Sequence, residues 1–291
     1  MPIREIALSD VSFPFRMVYQ DTKDPASELP DHLHDRYEIV YVYNGLGTFF
    51  IDNTLLDMCR GDLFVIPGNT IHHAIPNAEN PVTSTAVFFD AMLLQNPFFG
   101  DGFSILQNIE GNRSKNVYQF RLTKAEQGTA EAQLESIYKE CLQPQTGYQQ
   151  IIALTLQLML IRFMRADRQK SQETSIALTS PAWFKDVLQH IENHLQHTIT
   201  LGELANVAMI SQSHLSRAFK RFVGLNLVDY ITTKRMILAK ELLINTDAKV
   251  ATVCENCGFE SLPHFHRTFK KYTGVTPATY RKLNGMSLGR W

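Results

Sequence analysis

The chain has 291 residues, 44% hydrophobic and 20% charged, which leaves room for two domains with separate cores and argues against wholesale disorder. Its net charge of -1 hides an asymmetry: residues 1–180 carry 14 Lys and Arg against 21 Asp and Glu, and residues 181–291 carry 14 against 8. The basic second half favours nucleic acid as a partner, while four cysteines are too few for a disulfide scaffold and suit a reducing cytoplasm.

Met1 to Ile6 lead into no apolar segment of the kind a secretory signal needs. The most apolar run, Ile151–Met164, contains Gln157 and Arg162 and is too short to span a bilayer, so a cytoplasmic protein with no membrane partner is expected. Up to about residue 120 the chain reads as short strands: Tyr37–Tyr43, Gly47–Asp52, Asp62–Ile66 and Ser84–Phe89, with Arg16 on an earlier one. Turn residues such as Asn44-Gly45 and Pro67-Gly68-Asn69 bound them, and short strands at this spacing predict a sandwich or barrel.

Within that region His32, His34 and Glu38 share parity, so on an extended strand their side chains face one side. Gly45 follows Glu38, and Gly61 to Pro67 lead on to His72. This resembles the cupin double motif, in which two histidines, a glutamate and a later histidine line a small barrel; Asn69 stands where that motif has glycine. The resemblance implies a pocket at His32, His34, Glu38 and His72, with Arg16 as a further candidate. The same four side chains could hold a divalent metal such as Mn, Fe, Ni or Zn. Tyr41 and Tyr43 have the opposite parity to His34 and are expected to face outward.

Two helices follow, one over Lys124–Leu142 and one from beyond Gly147 to about Asp167. In the second, Ile151, Leu154, Leu158 and Ile161 form one stripe, while Ile152, Leu156, Met159, Leu160 and Phe163 add apolar surface elsewhere. Either the N-terminal domain wraps the whole helix or a second subunit covers part of it; the expectation is a homodimer. The polar stretch Arg165–Ser180 reads as a linker, dividing residues 1–164 from residues 181–291.

The second half is helical and contains a repeat. Ser213–Phe222 recurs as Pro263–Tyr272, offset by fifty residues, with matched pairs His214/His264, Arg217/Arg267, Phe219/Phe269, Lys220/Lys270 and Gly224/Gly274. Thr200, Ser211 and Ser261 stand at N-cap positions. In Ser211–Phe222 the residues Leu215, Ala218, Phe219 and Phe222 fall on one face and leave polar and basic residues on the other. Leu204, Ala205 and Ala208 lie inward on a short preceding helix, whose small residues permit the close crossing of a helix-turn-helix. Cys254 and Cys257 align with Ala205 and Ala208, so they are expected in the core rather than on zinc, and the second turn is one residue longer. Leu227–Leu243 reads as a helix connecting the two copies.

These residues resemble the AraC/XylS family of bacterial transcription regulators over roughly Phe184–Lys282, carried by Leu201–Ala208, Ser211–Lys220, Cys257–Ser261 and Gly274–Arg281. The fold implied is α+β multidomain: an N-terminal cupin-like β-barrel with helices, then an all-α domain with two helix-turn-helix modules. The resemblance makes Gln212, Ser213, Ser216 and Arg217 readers of one major groove, and Leu262, Pro263, His266 and Arg267 readers of the next. Lys220 and Lys270, further along, are expected to reach phosphates. Double-stranded DNA, RNA polymerase and a small-molecule effector, with a carbohydrate as the family-level guess, are the implied partners of a ligand-responsive activator. The rival function is a metal-dependent cupin enzyme carrying an accessory DNA-binding domain.

Overall fold

The computed structural model describes residues 5–7, 13–23, 35–94, 103–170 and 181–285; for 5–7, 166–170 and 284–285 only the backbone course is described. The chain divides into two compact units, residues 1–180 and 181–291.

The strands of the first unit are β1 (Glu5–Ala7), β2 (Phe15–Lys23), β3 (Tyr37–Asn44), β4 (Gly47–Ile51), β5 (Thr54–Met58), β6 (Asp62–Ile66), β7 (His72–Pro76), β8 (Val82–Phe89) and β9 (Gln119–Arg121). They form a six-stranded sheet ordered β1-β2-β8-β3-β6-β9 and a three-stranded sheet ordered β5-β4-β7. Every pairing described is antiparallel. Alternation along β3 sets the layers: Val40 and Val42 join Phe49, Ile51 and Leu56 of the small sheet in one core. Ile39 and Tyr41 point the other way, into a core shared with helices α1 (Ile105–Arg113), α2 (Lys124–Leu142) and α3 (Tyr148–Lys170). Because β3 is covered on both faces, its sequence reads as a nearly continuous apolar run rather than an alternating one.

That arrangement corrects the expectation for the tyrosines. Tyr41 is fully buried, and its hydroxyl donates to Glu131 on α2 at 2.8 Å; Tyr37 donates to Glu110 on α1 at 2.9 Å. Their face does turn away from the small sheet, but toward helices rather than solvent.

Helix α2 starts at a reciprocal cap, in which the Glu126 amide donates to Thr123 Oγ1 and the Thr123 amide to the Glu126 carboxylate. On α3 the face formed by Ile152, Leu156, Met159, Leu160 and Phe163 is buried. Ile151, Leu154 and Leu158 stand 43%, 63% and 45% exposed. The helix continues to Lys170, beyond the Arg165 expected to open the linker, because nothing between 165 and 170 breaks a helix; residues 171–180 lie outside the described set.

The second unit contains α4 (Ala182–Asn193), α5 (Leu201–Ala208), α6 (Gln212–Val223), α7 (Leu227–Asn245), α8 (Val250–Asn256), α9 (Leu262–Thr273) and α10 (Pro277–Gly285). Pairs α5–α6 and α8–α9 are the two helix-turn-helix modules. Helix α7 closes the first and opens the second. Near its start Tyr230 meets Phe219 edge-on at 5.2 Å, and further along Met236, Ala239 and Leu243 pack with Val253, Cys254, Phe265 and Phe269. One arginine ties each module, in the same way in both. On α7, Arg235 donates to the Leu195 and His197 carbonyls past the end of α4, at 2.9 and 2.7 Å. On α10, Arg281 donates to the Leu243 and Ala248 carbonyls around the end of α7, at 3.0 and 2.6 Å. Arg281 thereby satisfies the Leu243 carbonyl in the last turn of α7, and the other three acceptors lie in the loops that follow α4 and α7.

Candidate nucleic-acid interface and effector pocket

The recognition helices α6 and α9 are amphipathic by spacing. Leu215, Ala218, Phe219 and Val223 seat α6, and Phe265 and Phe269 seat α9. Phe222, expected on the buried face, is half-buried beside Trp183 and Phe184, and Val223 takes the inner position. Both helices end at a left-handed glycine, Gly224 or Gly274, whose amide donates to the Lys220 or Lys270 carbonyl at 2.8 and 2.9 Å. His214 and His264 likewise hold matching places, each edge-on to an aromatic ring, Trp183 in one copy and Phe259 in the other.

The two turns open identically. Met209 and Ile210 amides bond back to the Asn206 and Ala205 carbonyls, and Gly258 and Phe259 amides to those of Glu255 and Cys254. Met209 and Gly258 therefore occupy the same left-handed position, with φ of 53° and 72°. The extra residue of the second turn is Glu260, placed just before Ser261. Ser211 caps α6 through its hydroxyl, 3.3 Å from the His214 amide, whereas Ser261 makes no side-chain cap and Pro263 enters the first turn of α9. Pro263, at the second position of α9, has no amide hydrogen, which leaves one donor fewer at that helix start to be satisfied.

On the outer face Gln212, Ser213, Ser216, Arg217 and Lys220 are all exposed, as are Leu262, Pro263, Arg267 and Lys270. His266 is the exception: it is half-buried, edge-on to Phe265 at 6.1 Å. Arg217 Nε rests on its own helix, donating to the Ser213 carbonyl at 3.3 Å, and would release that weak bond to reach a base. Cys254 and Cys257 are buried core residues with free thiols. Burial is the first cause that pushes the Cys257 thiol up to about 12.

In the first unit a cavity lies between the two sheets. Its apolar wall includes Val40, Phe49, Met58, Ala86 and Phe88; Lys23, Glu38, His72, His73 and Ser84 supply the polar lining. Glu38 and His72 are 5% and 8% exposed, with His72 Nε2 2.9 Å from the Glu38 carboxylate and Nδ1 2.9 Å from the Thr70 carbonyl. A carbonyl only accepts, so Nδ1 carries a hydrogen and the Nε2–carboxylate contact shares one more proton. Burial alone would lower the imidazole pKa, but the Glu38 charge and hydrogen bond, with the Thr70 bond, raise it above its ordinary value.

His32 and His34, the other two residues of the expected cluster, lie outside the described residues. Arg16 does not line the cavity: it sits opposite Phe88 in the β2–β8 pairing, its guanidinium 5.5 Å from that ring. The fit to a metal is partial. Glu38 and His72 offer one carboxylate and one imidazole oriented by a carbonyl, as imidazole ligands commonly are, yet no three potential ligands gather among the described residues. Sequence reasoning missed Lys23, His73 and Ser84; strand parity would have found them had β2 and β7 been drawn in register with β8 and β4.

A family model described as an AraC-like ligand binding domain matches residues 14–180, and a helix-turn-helix domain model matches residues 204–283. Over 277 residues the chain is 25% identical to the uncharacterized HTH-type transcriptional regulator YdiP of Escherichia coli (strain K12), covering 92% of this chain and 85% of that one. It is 24% identical to the raffinose operon transcriptional regulatory protein RafR of Pediococcus pentosaceus, covering 88% of each. Among solved structures, the DNA-binding domain of AdpA in complex with a target DNA is 26% identical, covering 38% of this chain and 100% of that one, with a TM-score of 0.36.

Proposed function

Because the chain belongs to the AraC family of transcription regulators, with a ligand-binding domain ahead of a helix-turn-helix DNA-binding domain, we propose that it is an effector-controlled activator acting as a homodimer in the cytoplasm. The observation that carries the DNA-binding half is the duplicated recognition helix, with its apolar back seated and its polar, basic face open.

A small molecule enters the cavity between the sheets and changes how the DNA-binding halves of the dimer engage their sites. Such control needs a difference in effector affinity between the two arrangements, about 1–3 kcal/mol for typical coupling. The exposed stripe Ile151, Leu154 and Leu158 on α3 supports the dimer, since burying the roughly half of each side chain still exposed contributes about 1 kcal/mol apiece. RNA polymerase is the proposed partner at the promoter. Carbohydrates are among the effectors to be tested, a choice supported by relatives named for the raffinose and xylose operons. No catalytic role is proposed for the cavity. A divalent ion, if bound, would replace the proton shared by Glu38 and His72, and metal analysis of purified protein decides this.

The function is tested by selecting duplexes from a random pool with the full chain and measuring their affinity against salt. A steep linear loss of log K, with a slope of about -0.9 per phosphate contact, is expected for the selected duplex. Failure to enrich any sequence over the starting pool would overturn the proposal.

A further inference from the structure

The cavity in the first unit runs along β8. Val82, Ser84, Ala86 and Phe88 alternate onto its wall; in the strand pairing Val82 lies beside Lys23 and Phe88 beside Glu38, and the Lys23 charge is close enough to act on His72. Small side chains at Ser84 and Ala86 keep its middle open.

The charges along this space are unevenly matched. The Glu38 carboxylate is satisfied within the wall by His72 at 2.9 Å. Lys23 is half-buried at the end of β2, and its ammonium makes no hydrogen bond or ion pair with the described residues; Asp21, on the same strand face, makes no salt bridge to it. The apolar part of the lining is Val40, Phe49, Met58, Ala86 and Phe88, with the Ser84 hydroxyl and His73 as its other polar groups. A neutral sugar placed against Val40, Phe49, Met58, Ala86 and Phe88 would lose about tenfold in binding for each hydroxyl left unpaired there.

Building on the effector reading above, we propose that the occupant is an amphiphilic carboxylate, its apolar chain or ring along β8 and its carboxylate on Lys23. One ammonium, a point charge with three donors, suits a monoanion. Phe49 and Phe88 supply flat apolar contact for the body of the ligand.

Calorimetry on the full chain, with octanoate, octanamide, octyl phosphate, xylose and raffinose as probes, tests this. Octanoate is expected to bind at least tenfold tighter than octanamide. Lys23→Gln should reduce that preference to within about twofold, and Lys23→Arg should retain it. Ala86→Leu, checked for folding by circular dichroism, should abolish octanoate binding by filling the channel. The proposal falls if a sugar or the phosphate binds more tightly than octanoate, if the preference survives Lys23→Gln, or if no probe binds. Sugar binding that Ala86→Leu abolishes would leave the effector cavity standing and remove only the acid. Probe binding that survives Ala86→Leu in a folded protein would remove the cavity as the effector site as well.

Discussion

Arg217 and Lys220 stand less than one turn apart on α6, but their chemistry separates their roles. A guanidinium can bond guanine O6 and N7 together, whereas an ammonium meets a phosphate as a charge. Arg217→Ala should cost about 1–3 kcal/mol on a selected duplex and relax preference at a single base. Lys220→Ala should weaken all duplexes alike and reduce the salt slope by about 0.9, as anisotropy titrations at several salt concentrations will register. The second reader is poorer in polar contacts: Leu262 and Pro263 are apolar, and His266 is drawn back against Phe265. Selected sites should therefore show the stricter base preference in the half-site of the first module. The thiols give a residue-scale pH test. Burial is the leading cause of raised pKa values at all four cysteines, to about 11 at Cys59 and Cys141 and about 12 at Cys257. Since burial disfavours the thiolate, all four should react slowly with a disulfide reagent at pH 8 in the native protein and rapidly in denaturant; fast native labelling of Cys257 would contradict the packed site.

At the scale of elements, two left-handed glycines predict different outcomes. Gly274 at the end of α9 has φ of 76° and open space around an added Cβ, so Gly274→Ala should cost only the conformational term, about 1–2 kcal/mol. Gly258 in the second turn has φ of 72°, and a Cβ there would lie 2.3 Å from the Leu195 carbonyl oxygen and 2.9 Å from Arg235 Nη2. Gly258→Ala should cost clearly more and loosen the Arg235 tie, to be measured as the gap between the two variants in urea denaturation. The repeat, the caps at Thr200 and Ser211 and the bounds of α2 were legible because each has a local signature: an apolar period, a hydroxyl at the right place or a capping box. β5, β7 and α1 were not. Thr54–Met58 and His72–Pro76 are only five residues each, and they become strands by pairing with β4 on either side, a nonlocal cause. The cavity was half legible for the same reason: Glu38 and His72 lie in a motif, but Lys23 joins them only through the register of β2 on β8.

At the scale of the molecule, the exposed stripe of α3 is where the proposed dimer can be tested. Leu154→Glu places a charge where 63% of the side chain already meets solvent in the isolated chain, so folding should be nearly unaffected. Sedimentation should nevertheless show a shift from dimer to monomer; a dimer unchanged by this substitution would place the interface elsewhere. The shared helix α7 has a consequence for the DNA. Because its first turns belong to one module's core and its last turns to the other's, it fixes both the separation and the rotational phase of the two readers. Inserting one base pair between the half-sites would displace the second by about 3.4 Å and roughly a tenth of a turn. The protein acts as a ruler with a single graduation: spacing variants of the operator must either bend to meet it or lose one half of their contacts.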